Sequence, residues 1–361
     1  MERYDVVIIG GGIVGASLLY HFKTMGWDRV LLLERDKFAS GSTGRSGAMV
    51  RSYHGSPTLS ALALEGSKIY SDVFDLLSYR EFKTTGSLYF DSVKRLREVY
   101  PQIKFLRERG RKIEAIGKTE GERRFPQVRW PEKSIAIYEP QSGFADASSL
   151  TKNWIEWSKY RGAEAYESSS VEKINTLAGR VTGVQCNGST INSSIVVVAS
   201  GGWSSKVLGS VGIEAPIHMG AIQTNEFESH SSDSGGHPIF FDRESRCFGR
   251  SSSSGSVVGF GLSQYGGSVE EVTEVEATDI QKARTLGSQI IPALRSSKWK
   301  NSCRALDAYS KNPYGLYGTS GRYSGLMFAM GFGGTGFKVA PAVGKRLALS
   351  AQQFLRGRAS A

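Results

Sequence analysis

The chain has 361 residues, 45 basic against 34 acidic side chains, and a formal net charge of +11. That length suits two domains, and no apolar run approaches the about 20 residues of a membrane span. No apolar leader precedes the first strand, and the three scattered cysteines (Cys186, Cys247 and Cys303) exclude a disulfide framework or a Cys-x-x-Cys metal site, so a reducing, cytoplasmic setting is expected.

Val6–Ile9 is a continuous apolar run, the pattern of a strand buried on both faces. Gly10 to Gly15 turn the chain, Ala16–Thr24 reads as a helix, and Val30–Leu33 is a second apolar strand. Residues 36–56 are rich in Ser and Gly and read as a loop with short helical parts. Leu59–Leu77 has helical spacing, and Lys83–Phe90 reads as one strand. Val93, Leu96, Val99, Ile103 and Leu106 recur on one face of an amphipathic helix over 93–109. A further helix is expected over 147–161. Val171–Ile174 and Arg180–Cys186 flank a turn at Ala178 and Gly179, and Ile195–Ala199 is a third buried-type strand. Residues 220–262 alternate strand-like runs with Ser/Gly turns, one tip falling at Ser251–Ser254, which predicts an antiparallel sheet. A helix over 270–291 is ended by Pro292. The tail reads as a strand (Leu326–Met330), a glycine loop (Gly331–Gly336) and a helix (Val339–Leu355), and no internal repeat appears.

Two loops carry chemistry. Gly10-Gly11-Gly12-Ile13-Val14-Gly15 follows a strand and opens a helix, the context a dinucleotide fingerprint requires. Gly10 makes the tight turn, Gly12 lets backbone approach a pyrophosphate, Gly15 lets helix pack on strand, and the helix start offers N–H donors to phosphate. Glu34 ends the second strand, where a carboxylate accepts from a ribose diol and disfavours a 2′-phosphate. The second loop, Ser40-Gly41-Ser42-Thr43-Gly44-Arg45-Ser46-Gly47, has the small hydroxylated residues that suit a chain lying along a pyrophosphate.

These two loops, the Gly-Arg-Val-Thr-Gly-Val hairpin from Gly179, the strand and loop ending Ala199-Ser200-Gly201-Gly202-Trp203, and the terminal Gly331–Gly344 segment occur in one order. In that order the sequence resembles the D-amino-acid-oxidase-like FAD-dependent oxidoreductases, in the branch of sarcosine oxidase, glycine oxidase and the amino-acid dehydrogenases. The resemblance is weakest across 90–140 and 220–305. It implies an α/β fold: a Rossmann-like FAD-binding domain over 1–85, 141–215 and 305–361, and an antiparallel-sheet substrate domain over 86–140 and 216–304.

The resemblance also implies roles. Gly10, Gly12, Ile13, Val14, Gly15, Glu34 and Arg35 would serve the ADP half of FAD. Ser42, Thr43, Arg45 and Ser46 would line the pyrophosphate and the isoalloxazine edge. Val171 would meet the adenine, and Gly201 and Trp203 would border the same cofactor. Gly333, Gly334, Thr335 and Gly336 would face the flavin edge that gains negative charge on reduction. Arg51 and Lys338 would bind a substrate carboxylate, Arg through its bidentate fork. His54, just past Arg51, would either reach the active site or serve structure, and Tyr265 and Tyr309 would line the substrate pocket.

Some positions depart from the family pattern. Relatives with histidyl flavin carry that histidine where Arg45 stands. Cys303 lies near the position of a cysteinyl flavin link, but the segment after it, Leu306–Asn312, differs, so non-covalent FAD is expected. The position of the oxygen-activating lysine falls on Ser256 or Val257, which tilts the expected electron acceptor, oxygen or another, slightly towards another and the enzyme towards a dehydrogenase. His21, His54, His218, His230 and His237 show no metal spacing, and no metal is expected.

The expected reaction is oxidation of the C–N bond of a small amino acid or N-methyl amino acid by hydride transfer to flavin N5, giving an imine. A 2-hydroxy acid or glycerol-phosphate dehydrogenase is the alternative, with His54 as base. Lys94–Lys133 holds 13 basic and 6 acidic residues. It reads as a solvated face or as the docking surface of a flavin subunit in an electron-transfer complex, not as a nucleic-acid motif.

Overall fold

The structure is a computed structural model that describes residues 3–228, 236–262, 264–266 and 274–359. His230 lies outside the described residues.

The first strand, Arg3–Ile9, lies between the parallel strands Val30–Leu33 and Ser189–Val198. Val6 and Ile8 pack into one core while Val7 and Ile9 pack into another on the opposite face. Both faces are covered, so the strand carries no polar alternation. Glu164–Tyr166 extends this sheet at one edge and the hairpin of Val171–Leu177 with Arg180–Cys186 at the other. Leu326–Met330 adds in parallel to Ser189–Val198, and Leu316–Thr319 pairs antiparallel with it.

Four helices cover one face: Ile13–Thr24, Pro57–Leu76, Ala147–Tyr160 and Gly336–Ala359. The helix Pro57–Leu76 starts at a Ser56 cap that accepts from the Leu59 amide, with Pro57 in its first turn. Pro341 sits inside the last helix and cannot donate to the Phe337 carbonyl. The Tyr70 hydroxyl donates to that carbonyl at 2.7 Å instead. Ser17 Oγ donates to the Ala340 carbonyl at 2.9 Å, and His21 Nε2 lies 3.0 Å from that of Pro341. The last helix is thereby keyed to the first two where Lys338 emerges.

The second sheet runs Gln264–Tyr265, His218–Glu228, Gly255–Gly259, Phe248–Ser251, Ile239–Asp242, Ser87–Ser92, Ser134–Glu139, Glu114–Gly117. Its pairs are antiparallel except Ile239–Asp242 with Ser87–Ser92, which is parallel. Lys298–Tyr309 pairs with His218–Glu228 along its whole length. The expected domain boundary between 304 and 305 therefore falls inside one continuous strand. A small sheet of Met49–Val50, Gly143–Phe144 and Lys83–Thr84 connects the two large ones.

Several elements differ from expectation. Lys83–Phe90 is two strands in two sheets, broken where Gly86 takes φ +72° and packs on the Tyr138 ring. The expected helix over 93–109 begins as one 3-10 turn and is α-helical over Leu96–Glu108. The helix expected over 270–291 spans Ala277–Ser288, and 270–273 lie outside the described residues. The last helix starts at Gly336 rather than Val339. No helix among the described residues is long and apolar enough to cross a membrane.

Candidate active site

A cavity of about 1240 Å³ runs between the parallel sheet and the inner face of the second sheet. At one end lies the glycine turn. Gly10 has φ +112°, and a Cβ there would stand 2.5 Å from the Ala199 carbonyl oxygen. A Cβ on Gly15 would stand 1.8 Å from the Gly10 oxygen. Both positions therefore exclude any side chain. Gly10, Gly12, Ile13 and Val14 line the cavity; Gly15 does not, and acts through packing alone.

Glu34 reaches the same space with its carboxylate held by two backbone donors, Gly11 N at 2.7 Å and Asp36 N at 2.8 Å. The Arg35 guanidinium lies 4.5 Å over the Trp203 ring, whose buried indole N–H has no hydrogen-bond partner among the described residues. Val171 and Gly201 complete this end.

The middle is walled by the Ser/Gly loop. Thr43 Oγ1 accepts from Ile13 N at 3.1 Å, tying the loop to the helix start. Ser42 Oγ donates to the Leu306 carbonyl at 3.1 Å, Arg45 donates to the Ser40 carbonyl, and Ser46 Oγ accepts from Ala48 N. All four side chains belong to residues lining the cavity.

The far end gathers Arg51, His54, Lys338 and the segment Gly333–Gly336. Gly333 takes φ +50°, and a Cβ there would run into the Tyr309 ring at 2.3 Å. Tyr309 also stacks on His218. Arg51 is only 8% exposed, lies 5.4 Å from the Tyr89 ring centre and 5.3 Å from that of Phe241, and donates to the Tyr53 carbonyl. Lys338, 6% exposed, donates to the Gly334 carbonyl at 3.0 Å. Burial and then the nearby Arg51 charge push the Lys338 ammonium down to about 7, with Asp307 opposing. His54 is 4% exposed, and burial followed by the Arg51 and Lys338 charges holds its imidazole well below the ordinary value. It is neutral, and among the described residues its Nε2 has no hydrogen-bond partner.

The inner face of the second sheet supplies Tyr89, Phe241, Phe248, Ile222 and Thr224. Among the described residues Asp307 is the one acid lining this end; the other lining acids, Glu34 and Asp36, are at the glycine turn. Burial raises the Asp307 carboxyl, while a Ser42 hydrogen bond and Lys338 oppose it.

Some expected residues are not brought in. Cys303 does not line the cavity, and burial raises its thiol above the ordinary value, an environment that disfavours the thiolate. Ser256 and Val257 do not line it either: Ser256 Oγ lies 2.9 Å from His237 Nε2, and Val257 pairs with Glu226 and Arg250. Tyr265 pairs with Gly220 through its backbone, and its side chain lies outside what is described. The sequence reading missed Asp307 and the aromatic face. Asp307 stood in the segment that departs from the family pattern, and the aromatics become a wall only once three strands pair. No metal-binding group of His, Cys, Asp and Glu occurs among the described residues.

The family model described as FAD dependent oxidoreductase matches residues 5–349. The chain is 23% identical over 95% of its length to the 4-methylaminobutanoate oxidase (formaldehyde-forming) of Paenarthrobacter nicotinovorans, and spans 43% of that longer protein. It is 23% identical over 96% of its length to the monomeric sarcosine oxidase of Arthrobacter sp. (strain TE1826), covering 92% of it. In fold it is similar to the L-proline dehydrogenase from P. horikoshii, with TM-score 0.87, 23% identity, and 96% and 92% of the two chains covered.

Proposed function

The chain belongs to the FAD dependent oxidoreductase family, and from that premise we propose that it oxidises the C–N bond of a small amino acid or N-methyl amino acid to an imine. The cavity suits FAD on its own geometry. Its length joins the Glu34 carboxylate to the Gly333–Gly336 segment, and Gly10 and Gly12 line it without side chains at one end. We assign Gly10, Gly12, Ile13, Val14, Glu34, Arg35, Val171, Gly201 and Trp203 to the nucleotide half. Ser42, Thr43, Arg45, Ser46 and Gly333–Gly336 go to the flavin half. Cys303 lies off that wall and Arg45 stands where a histidyl link would fall, which supports a non-covalently held cofactor.

One observation carries the substrate class. Two buried cations, Arg51 and Lys338, come from opposite ends of the sequence to one end of one cavity. A buried unpaired cation is costly, and a bound carboxylate compensates it. Bound FAD supplies the hydride acceptor. Arg51 and Lys338 then hold the substrate carboxylate, and their charges favour a deprotonated amine on the same molecule. Tyr89, Phe241 and Phe248 exclude water from the reacting carbon. Replacing Arg51 or Lys338 by Ala should lower kcat/KM for amino acids by about 100-fold or more, the cost of breaking a buried charge pair. Unchanged turnover in both variants would refute the assignment.

His54 favours a second reading. A neutral imidazole in the cavity lining beside two cations suits proton abstraction from a hydroxyl, so a 2-hydroxy acid is the competing substrate. Flavin reduction by lactate but by no amino acid would select it. We further propose that the parallel sheet bears the cofactor and the second sheet the substrate, with the division after Tyr309 rather than at 305. Among the described residues, those of the second sheet that line the cavity include no lysine, which supports an electron acceptor other than oxygen. A partner subunit meeting the basic 94–133 face is one such acceptor.

A further inference from the structure

Glu139 is buried at the end of the strand Ser134–Glu139, with 1% of its surface exposed, and takes no part in the cavity wall. Its carboxylate accepts from three donors. Tyr53 N lies 2.7 Å from Oε1, Ser52 N lies 3.0 Å from Oε2, and Arg111 Nε lies 2.8 Å from Oε2. Arg111 is itself fixed by Ser142 Oγ at 3.1 Å. The peptide whose N–H groups Glu139 holds is followed by the Tyr53 carbonyl that accepts from the Arg51 guanidinium.

The same strand pair sets the other side of Arg51. Ser134–Glu139 pairs with Ser87–Ser92, placing Glu139 opposite Ser87 and Ile137 opposite Tyr89. The Tyr89 ring is one of the two that flank the guanidinium. Thus Arg51 enters from the Ser/Gly loop of the cofactor side, yet its orientation is set on the substrate sheet. An arginine reads a carboxylate through a planar fork, so a small rotation costs more than the loss of a point charge would. A carboxylate saturated by two backbone amides and a guanidinium is a rigid anchor for that fork.

We propose that Glu139, backed by Arg111, is the positioning residue that aims Arg51 at the substrate carboxylate. The inference rests on the carboxylate-binding role of Arg51 given above. It predicts selectivity, not only stability: losing the anchor should weaken anions and spare neutral ligands of the same shape.

The test titrates FAD-loaded protein with propionate and with propionamide, following the flavin absorbance, in the parent and in Glu139→Gln and Arg111→Met. Gln keeps the shape and one acceptor but turns a donor towards Arg111. The expected result is an about 10-fold weaker propionate affinity in Glu139→Gln, a smaller loss in Arg111→Met, and propionamide unchanged in both. With substrate, KM should rise more than kcat falls. Equal weakening of both ligands, or propionate binding like the parent in a folded variant, would overturn the proposal. If Glu139→Gln does not fold, parental propionate affinity in Arg111→Met overturns it. If the parent protein binds propionate no better than propionamide, the carboxylate role of Arg51 itself fails, and the positioning role with it.

Discussion

Gly66 lies against the carbonyl of Lys338, so that a Cβ at position 66 would stand 2.3 Å from that oxygen. The contact is backbone to backbone, between the helices Pro57–Leu76 and Gly336–Ala359, and no rotamer change can relieve it. Gly66→Ala should push the second helix outwards at the residue that carries the active-site ammonium. Overpacking of this kind costs about 1–3 kcal/mol. The expected outcome is a lower melting temperature together with weaker carboxylate binding. Gly209→Ala, where nothing lies within 4 Å, should do neither. Thermal melts and propionate titrations of the two variants check this.

The Lys338 ammonium, held at about 7 by burial and by Arg51, makes anion binding pH-dependent. Its cation is present below that value and lost as pH rises through it. Carboxylate affinity should therefore be level in acid and fall by up to about tenfold per unit above pH 7. Lys338→Met should bind more weakly in acid and lose this pH dependence. For stability the sign is opposite: between about 7 and 10.5 the unfolded chain holds the proton that the native state has released. This group therefore stabilises the fold as pH rises through that window. A pH series of propionate affinities for parent and variant decides it.

Acid should unfold the protein partly through two histidines distant from the site. His21, bonded to the Pro341 carbonyl, and His237, between Pro238 O and Ser256 Oγ, are both driven down to about 4, chiefly by burial. Depressed imidazoles contribute stability above pH 6.5 that is lost as pH falls towards 4. Each adds a slope of up to about 1.4 kcal/mol per pH unit in that window. His21→Gln keeps a donor for Pro341 and removes one titration, so denaturant unfolding between pH 6.5 and 4 should show a shallower slope. An unchanged slope would exclude His21.

The cofactor half of this molecule was legible in the sequence because its chemistry is local. Val6–Ile9, Gly10–Gly15 and Glu34 lie on one short stretch, and each is needed there by backbone geometry. The carboxylate grip was legible only through likeness to a family, since nothing in the spacing of Arg51 and Lys338 says that they meet. The substrate half was legible least. Lys298–Tyr309 begins Lys-Trp-Lys-Asn-Ser, mostly exposed polar residues with no clean alternation, and becomes a strand because His218–Glu228 lies beside it. Ser256 turns to the face away from the cavity and Val257 lies farther along the strand beside Arg250, and both placements depend on pairing partners that the local sequence does not name. Glu139 carried no sequence signal, because its three donors come from two distant segments.

The central claim is tested most directly by mixing FAD-loaded protein without air with sarcosine, glycine, proline and D- and L-alanine, alongside the carboxylate-free dimethylamine and pyrrolidine, and with lactate. The account predicts bleaching of the flavin by one or more amino acids and none by the carboxylate-free amines. Colour should return slowly when air is admitted and quickly with an artificial acceptor. Bleaching by amines as readily as by amino acids, or by lactate alone, would contradict it.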